Sequence, residues 1–270
     1  MSTRTIPLDR GQRAVTAAAT MTRRGVAHWG RQPAAVTVGL LFPVMMLVMF
    51  AYFIGGGMAV EGGGDYYTDF LVPGMPALTM AFGLEATMVA IAQDIERGVL
   101  DRFRSMPIAP SSVLVGRSLL DMINSTVGLL VMLGAGWAIG WRWNGTAAEA
   151  LAALGLLLLL RFAMLWVGIY LGLVARKPEI IQAVQILVWP VAFMSNAFTS
   201  PDTMPDWMGA IADWNPMSAT AGAVRELFGN PSWESGTWAA DHAIALAAAS
   251  PLLLAIFVPL ALHRYARLGA

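Results

Sequence analysis

Residues 150–174 read ALAALGLLLLLRFAMLWVGIYLGLV, an apolar run in which Arg161 is the one charged residue. A helix needs about 20 apolar residues to cross a hydrocarbon core about 30 Å thick. Because the run is continuously apolar rather than alternating, it favours a transmembrane helix over a strand of a membrane barrel. Five further stretches meet the same requirement. The six predicted spans cover residues 34–54, 72–92, 113–140, 150–174, 180–198 and 242–262.

The composition of the whole chain is that of an integral membrane protein. Of its 270 residues, 57 % are hydrophobic and 13 % are charged, whereas soluble domains have about 45–50 % and about 25 %. The formal net charge of zero argues against a nucleic-acid-binding protein. The chain has no cysteine, which excludes disulfides, thiolate metal sites and cysteine nucleophiles.

The sequence lacks the residues that catalysis or nucleotide binding would need. Lys177, the only lysine, follows an arginine, whereas the phosphate-binding loop G-x-x-x-x-G-K-[ST] requires Gly-Lys. His28, His242 and His263 are far apart and lack the spacing of metal ligands. No G-x-S-x-G nucleophile motif is present. We therefore predict no metal site and no catalytic residue in this chain.

The basic residues predict the orientation in the membrane. All but three of the 17 lie before the first span, near the connection of spans two and three, between spans four and five, or after the sixth. Arg161 lies within a span, and Arg142 and Arg225 lie on the other side. The positive-inside rule then puts both termini in the cytoplasm. The arginine-rich, lysine-poor composition is typical of a GC-rich bacterial genome, so we expect a multi-pass protein of a bacterial plasma membrane.

Residues 1–33 form the first predicted unit, a cytoplasmic amphipathic helix at the membrane surface, and residues 34–270 form the transmembrane domain. Apolar residues from Val15 to Trp29 recur at helical spacing, with Arg13, Arg24 and Arg31 on another face. A basic, weakly apolar helix with a tryptophan lies in the headgroup plane. A disordered basic tail is the alternative, and the composition also resembles a mitochondrial transit peptide.

The cytoplasmic loop of residues 93–112 carries acidic residues first and arginines later, which suits a short helix and its macrodipole. Gly98 permits an unusual turn, and Pro107 ends any helix near residue 105. Leu100, Phe103 and Met106 would expose an apolar ridge. We interpret this segment as a docking element for another protein. An ordinary solvated loop is the equally open alternative.

The outer loop of residues 199–241 is rich in tryptophan, and Trp207, Ile211 and Trp214 share a helical face. Such a helix lies in the interface or re-enters the bilayer.

Three ionisable residues interrupt the spans, namely Glu85, Asp121 and Arg161. Charge at membrane depth is costly and points to function. An Arg161–Glu85 pair joining two helices is the structural interpretation, and a cavity-facing role in substrate passage is the alternative.

Three stretches of the chain resemble a known family when they are taken in order. They are YYTDFLVPG at 66–74, Asp94 with ERGVLDR at 96–102 and Met106-Pro107, and NAFTSP at 196–201 with MPDW at 204–207 and Asn215-Pro216. Together they resemble permease subunits of type-2 ATP-binding-cassette exporters, with the daunorubicin-resistance branch the most similar. The resemblance runs from about residue 28 to 230.

The resemblance implies an all-α fold of six transmembrane helices with an N-terminal interfacial helix, a cytoplasmic coupling helix and outer re-entrant helices. It implies no cofactor on this chain, since a separate ATPase subunit would bind ATP and Mg²⁺, and a second permease copy, identical or related, would complete the pathway. The ATPase-coupling residues would be Asp94, Glu96, Arg97, Gly98, Leu100, Arg102, Phe103, Arg104, Met106 and Pro107. The outer region would hold Pro201, Pro205, Trp207, Trp214, Asn215 and Pro216.

The expected function is export of amphiphilic drug-like or lipid molecules from the cytoplasm or the inner leaflet, driven by the partner ATPase. Glu85, Asp121 and Arg161 belong to no motif of the family, so their assignment rests on their depth in the membrane. Two alternatives remain open: a permease for polysaccharide or glycolipid precursors, and a non-transporting membrane scaffold that needs no ATPase.

Overall fold

The structure is a computed structural model that describes residues 33–55, 63–99, 110–175, 177–198, 204–230 and 237–267. Within these ranges the regular structure is helical, with no strand. The predicted interfacial helix of residues 1–33, with Arg13, Arg24, Trp29 and Arg31, lies outside the described residues except for Pro33. The helices are α1 (Pro33–Met49), α2 (Gly63–Glu96), α3 (Pro110–Ala138), α4 (Ala147–Val174), α5 (Pro178–Phe193), α6 (Asp206–Asp213), α7 (Pro216–Leu227), α8 (Trp238–Asp241), α9 (Ala243–Ala248) and α10 (Pro251–Arg267), and a π-helical turn, Phe50–Ile54, continues α1.

Four helical segments of the described chain are long and apolar enough to cross a membrane. They are Tyr67–Glu96, Leu114–Ala138, Ala147–Val174 and Ala243–Arg267. Helices α1 and α5 are apolar but shorter, with 17 and 16 residues. The chain is therefore an all-helical integral membrane protein over its described residues, and the number of six spans stays a prediction.

Helix α2 extends beyond the predicted span of 72–92 at both ends. It begins at Gly63 and runs to Glu96 despite Pro73 and Pro76 in its interior. Prolines are tolerated in transmembrane helices because neighbouring groups satisfy the freed carbonyls. Residues 93–96, which were predicted to begin the cytoplasmic loop of residues 93–112, form the last turn of α2. The α-helical ladder continues through them without a break.

Two other predicted spans end differently in the structure. Helix α5 stops at Phe193, before the predicted end at 198. The predicted span of 242–262 is divided at residues 249–250 into α9 and α10. Proline at position 251 has no backbone N–H, so it starts a helix more readily than it continues one. At the start of α4, the Thr146 hydroxyl accepts from the Glu149 amide and the Glu149 carboxylate accepts from the Thr146 amide at 2.7 Å, which extends that helix to Ala147.

Helices α2 and α4 form the centre of the bundle. In the most apolar 18-residue stretch of α2, 61 % is buried within the bundle, and in that of α4 44 % is buried. The same share is 17 % for α3 and for the last span. A methyl group added at Gly168 of α4 would lie 2.6 Å from the Leu84 carbonyl oxygen of α2. One added at Gly172 would lie 2.7 Å from the Met88 carbonyl oxygen. Two glycines four residues apart therefore let the two backbones approach closely, as small residues do between membrane helices.

Candidate functional site: buried polar residues of the bundle

Arg161 is buried at the centre of the bundle and is held by hydroxyl groups. Its Nε donates to Ser125 Oγ of α3 at 2.7 Å, and its Nη2 donates to Thr87 Oγ1 of α2 at 3.1 Å. Its side chain therefore joins three helices. Among the described residues its Nη1 atom is buried without a hydrogen-bond partner, so the guanidinium retains an unused donor.

A chain of polar contacts leads from Arg161 to the end of α2. The Thr87 hydroxyl lies 3.1 Å from Asp121 Oδ2 and 3.0 Å from the Gly83 carbonyl oxygen. Asp121 Oδ1 lies 3.6 Å from Arg117 Nε, which is too long for a hydrogen bond but is an ion pair. Arg117 Nη1 donates to Asp94 Oδ2 at 2.8 Å. We call Arg161, Thr87, Asp121, Arg117 and Asp94 the polar chain.

The fit of Arg161 against α2 depends on a glycine. A methyl group at Gly83 would lie 2.5–2.7 Å from the guanidinium carbon and two of its nitrogens. Since Gly83 and Thr87 are four residues apart, they share one face of α2. Asp121 and Ser125 share one face of α3 for the same reason. Both faces point toward Arg161. The face of α2 provides space and a hydroxyl group, and the face of α3 provides a hydroxyl group and a carboxylate.

The expected ion pair between Arg161 and Glu85 is not formed. Glu85 is two residues from both Gly83 and Thr87, and successive residues of a helix are about 100° apart, so it lies on the opposite side of α2 from Arg161. Neither of the two ion pairs among the described residues includes it. Its Oε1 atom is buried without a hydrogen-bond partner in the same set. The structure therefore joins Asp121 to Arg161 through Thr87 and separates Glu85 from both.

Glu85 lines a groove between α2 and α5. The groove has a volume of about 350 Å³ and is open on one side, and we call it the α2–α5 groove. Phe82 at one end of it is in ring contact with Trp189 of α5, with centroids 4.7 Å apart. The lining residues are Phe82, Glu85, Ala86, Val89, Ala90 and Gln93 of α2 and Gln185 of α5.

The predicted coupling residues are described only up to the turn that follows α2. Asp94 and Glu96 belong to its last turn, Arg97 and Gly98 form the turn itself, and Gly98 has a φ of +62°. This left-handed conformation is one that glycine adopts without strain. Asp94 pairs with Arg117, whereas Glu96 and Arg97 are exposed. Leu100, Arg102, Phe103, Arg104, Met106 and Pro107 lie outside the described residues.

A second arginine, Arg225 of α7, is fully buried near the other end of the bundle. Its Nε donates to the Phe70 carbonyl oxygen at 2.9 Å, and its Nη2 donates to the carbonyl oxygens of Asn196 and Ala197 at 2.9 and 3.1 Å. The guanidinium carbon lies 3.6 Å from the centre of the Phe70 ring. Burial lowers the pKa of Arg225 to about 9, which still leaves it charged at neutral pH. We call this arrangement the Arg225 site.

The predicted outer residues have different roles in this region. The Asn215 side chain accepts from the Met217 amide at 2.9 Å and caps α7, and its Nδ2 donates to the Val191 carbonyl oxygen at 3.0 Å. Pro216 is the first residue of α7, and Pro205 precedes α6. Trp207 is exposed, and Trp214 is exposed but stacked on Trp238 at 5.8 Å. Pro201 lies outside the described residues.

Several residues of these sites were not predicted from the sequence. Arg225 was predicted to lie on the outer side of the membrane, and its burial, with 1 % of its surface exposed, was not predicted. Thr87 and Ser125 carry no individual signal in the sequence, because single hydroxyls are common in transmembrane helices. What could have indicated them is spacing. An arginine in mid-membrane requires hydrogen-bond acceptors, and Thr87 lies four residues after a glycine and Ser125 four residues after an aspartate, so each pair shares a helical face. No group of three metal-ligating side chains occurs within the described ranges.

Comparison with known proteins finds similarity to membrane transporters over most of the chain. The ABC-2 type transporter family matches residues 16–228. The daunorubicin resistance ABC transporter permease protein DrrB1 of Streptomyces coeruleorubidus is 33 % identical over 260 residues, which are 95 % of this chain and 89 % of that one. The doxorubicin resistance ABC transporter permease protein DrrB of Mycobacterium tuberculosis is 24 % identical over 237 residues, which are 81 % of each chain.

These matches assign the class of the protein. The described residues form a multi-pass helical membrane protein, and the matched relatives are permeases of ABC transporters. The chain belongs to the ABC-2 type transporter family.

Proposed function

We propose that this chain is the transmembrane permease subunit of an ATP-driven exporter for amphiphilic drug-like or lipid molecules. The observation that carries the proposal is the 33 % identity to a daunorubicin resistance permease across 95 % of the chain. An exporter moves such molecules out of the cytoplasm or the inner leaflet. The apolar walls of a pathway between membrane helices suit amphiphiles of this kind.

The energy source in this proposal is a separate ABC ATPase subunit. The sequence has no Gly-Lys pair for a phosphate-binding loop, so ATP and Mg²⁺ would bind to the partner. The partner would dock on the coupling segment after Asp94 and on the N-terminal amphipathic helix.

The chain would have six spans, with α1 and α5 crossing the membrane beside the four longer ones. Both termini would lie in the cytoplasm of a bacterial cell, inside the plasma membrane.

A second permease copy, identical or related, would complete the pathway. Helices α1 and α5 support this because they leave large apolar side chains uncovered, such as Phe53, which is 83 % exposed, and Ile186, which is 70 % exposed. Lipid covers part of such a surface. The groove lined by Glu85 opens beside α5, so it would lie next to the pathway if α5 faces the second copy.

The polar chain provides a mechanism for coupling. A conformational change is driven only by the difference in a partner's affinity for two states, so the coupling segment would fit the ATP-bound and the ATP-free ATPase differently. A displacement of the turn at Arg97 would move Asp94, and Asp94 is joined through Arg117 and Asp121 to Thr87 and Arg161. Tilting of α2 would thereby change the contacts of α3 and α4 at mid-membrane. At the outer side, α6 and α7 would close the exit.

Transport into inside-out vesicles tests the function. Vesicles that contain the permease and its ATPase subunit are expected to accumulate daunorubicin or a fluorescent phospholipid when ATP is added. Vesicles with the permease alone, or with an ATPase whose phosphate-loop lysine is replaced, are the controls and should accumulate neither. Uptake of a polysaccharide or glycolipid precursor alone would favour that alternative cargo. Failure of the chain to purify with any ATPase would favour a scaffold and contradict the proposal.

The coupling assignment is tested by replacing Glu96, Arg102 and Arg104 with alanine. The drug-stimulated ATPase activity of the reconstituted complex should fall to the unstimulated rate, because the charges that seat the segment on the partner are removed. Alanine at Arg142 and Glu226, which are charged and exposed near the opposite end of the bundle, is the matched control and should leave stimulation intact. An unchanged drug response in the triple variant would show that the segment does not couple the subunits.

A further inference from the structure

The two faces of α2 differ in what covers them. Gly83, Thr87 and Met88 point to the side that Arg161 and the glycines of α4 occupy. The groove residues of α2 recur at intervals of three and four from Phe82 to Gln93, so they form one stripe along the helix. That stripe is about 16 Å long at a rise of 1.5 Å per residue. In the described structure its one facing wall is α5.

The Glu85 carboxylate in this stripe lacks a group to balance its charge among the described residues. An ionised carboxylate only accepts hydrogen bonds, and one at membrane depth is stable when it faces a cavity or meets a partner. Its Oε1 is buried and has no hydrogen-bond partner among the described residues. Arg161, a buried cation of α4, is engaged with Ser125 and Thr87 on the other side of α2. A cation that enters the groove would balance this charge.

The other lining residues define what the rest of the ligand must be. Ala86, Val89 and Ala90 are apolar, and Phe82, whose ring contacts Trp189 outside the lining, presents an aromatic surface at one end. Gln93 and Gln185 offer amide donors and acceptors. A cavity of about 350 Å³ lies within the range of about 300–1,000 Å³ that small-molecule pockets occupy.

We infer that the α2–α5 groove is a binding site for aromatic amphiphiles that carry a protonated amine, with the ammonium group paired to Glu85 and the ring system against Phe82. This inference rests on the proposed export function and names the substrate class that the site selects. It separates the roles of the intramembrane charges: Glu85 contacts the ligand, whereas Asp121 and Arg161 hold the helices around it.

Binding to the intact complex without nucleotide tests the site. The permease with its ATPase subunit, in lipid nanodiscs, is titrated with daunorubicin, an amine, and with its uncharged N-acetyl derivative, and binding is followed by fluorescence polarisation. Wild type should bind the amine about tenfold more tightly, as expected for one charge-assisted interaction. In Glu85→Gln this preference should vanish while the affinity for the N-acetyl derivative is retained.

Two further variants sharpen the result. Glu226→Gln makes the same chemical change on the exposed side of α7 and should keep the preference of wild type. Ala86→Phe fills the groove and should weaken binding of both probes. The inference is overturned if Glu85→Gln keeps the preference for the amine, if it loses both probes equally, if Ala86→Phe binds both as wild type does, or if wild type binds neither probe.

Vesicle uptake separates this inference from the proposed function. If wild type shows ATP-dependent uptake of either probe but has no preference for the amine, the site assignment fails and the exporter function stands. If the preference exists and depends on Glu85, but ATP drives no uptake of any probe, the site stands and the exporter function fails.

Discussion

The two buried arginines of the bundle are held mainly by different kinds of acceptor. Arg225 donates to three backbone carbonyl oxygens, those of Phe70, Asn196 and Ala197, at 2.9–3.1 Å, and to the Asn196 side-chain oxygen at the longer distance of 3.4 Å. Arg161 donates to two side-chain hydroxyls, those of Ser125 and Thr87, and has a nitrogen left over. A carbonyl moves only with its backbone, whereas a hydroxyl rotates about a single bond.

This difference separates a fixed part of the molecule from a part that can rearrange. The Arg225 side chain of α7 is bonded to the main chains of α2 and of the turn after α5, so a displacement of one element breaks contacts to the others. The hydroxyls around Arg161 can turn to new partners when helices shift by a few tenths of an ångström. We therefore expect the Arg225 site to act as an anchor for stability and the Arg161 end of the polar chain to accommodate movement.

The largest expected effect is that of Arg225→Met. The change removes three hydrogen bonds from a charged donor, and each bond of this kind contributes about 1.5–3 kcal/mol. The melting temperature of the detergent-solubilised protein should fall by roughly 10 °C. Arg142→Met is the control, because Arg142 also donates to two carbonyl oxygens but is exposed, and it should shift the melting temperature little. Equal shifts in the two variants would contradict the anchor role.

An intermediate effect is expected when a methyl group is added beside each arginine. At Gly74 the added carbon would meet Arg225 and also the Ala197 carbonyl oxygen at 2.8 Å, and the backbone cannot yield. Gly74→Ala should therefore cost about 1–3 kcal/mol of unfolding free energy. At Gly83 the three atoms nearest to the added carbon all belong to the end of the flexible Arg161 side chain, and alanine favours the helix by about 0.5–1 kcal/mol. Gly83→Ala should consequently change the stability by less than Gly74→Ala.

The control for both glycine variants is Gly134→Ala in α3, where nothing lies within 4 Å of an added methyl group. It should not lower the melting temperature. If Gly83→Ala proves as damaging as Gly74→Ala, then Arg161 is as rigidly held as Arg225 and the comparison between them fails.

The smallest expected effect is the coupling between Thr87 and Arg161. Thr87→Val removes the hydroxyl at nearly constant volume, and Arg161→Met removes the donor. A double-mutant cycle on chemical unfolding should give an interaction energy of about 1 kcal/mol. The matched cycle pairs Arg161→Met with Thr126→Val, since the Thr126 hydroxyl donates to the Met122 carbonyl oxygen of its own helix. Additive behaviour in the first cycle would remove Thr87 from the polar chain.

The sequence predicted the membrane class and the position of the helices because both depend on local composition. A continuous apolar run of sufficient length has few structures available in a bilayer, so residues such as 150–174 indicate a helix without knowledge of its neighbours. The ends of helices were less predictable. Residues 93–96 continue α2 and residues 249–250 divide the last span, since the end of a helix depends on capping groups and on the packing of adjacent elements.

The sequence identified the intramembrane ionisable residues of the candidate site, but it did not predict which of them are joined by contacts. Depth in the membrane singled out Glu85, Asp121 and Arg161 as costly charges. Which of them meet depends on the rotation of α2, which puts Thr87 toward Arg161 and Glu85 toward α5. In this orientation the α2 backbone at Leu84 and Met88 lies against Gly168 and Gly172 of α4. Arg225 was predicted only to lie on the outer side of the membrane, because an arginine in a loop sequence carries no sign that three carbonyl groups surround it.

The sequence by itself therefore determined that this chain is a helical membrane protein and, through its ordered motifs, an ABC-2 type transporter permease. Composition and local periodicity suffice for this because they act within a single helix. Only the tertiary structure decided which charges share a contact, which carboxylate faces an open groove and which arginine is enclosed by carbonyl groups. These outcomes depend on how far each helix is rotated about its axis, and that rotation is fixed by the shapes of several helices packed together.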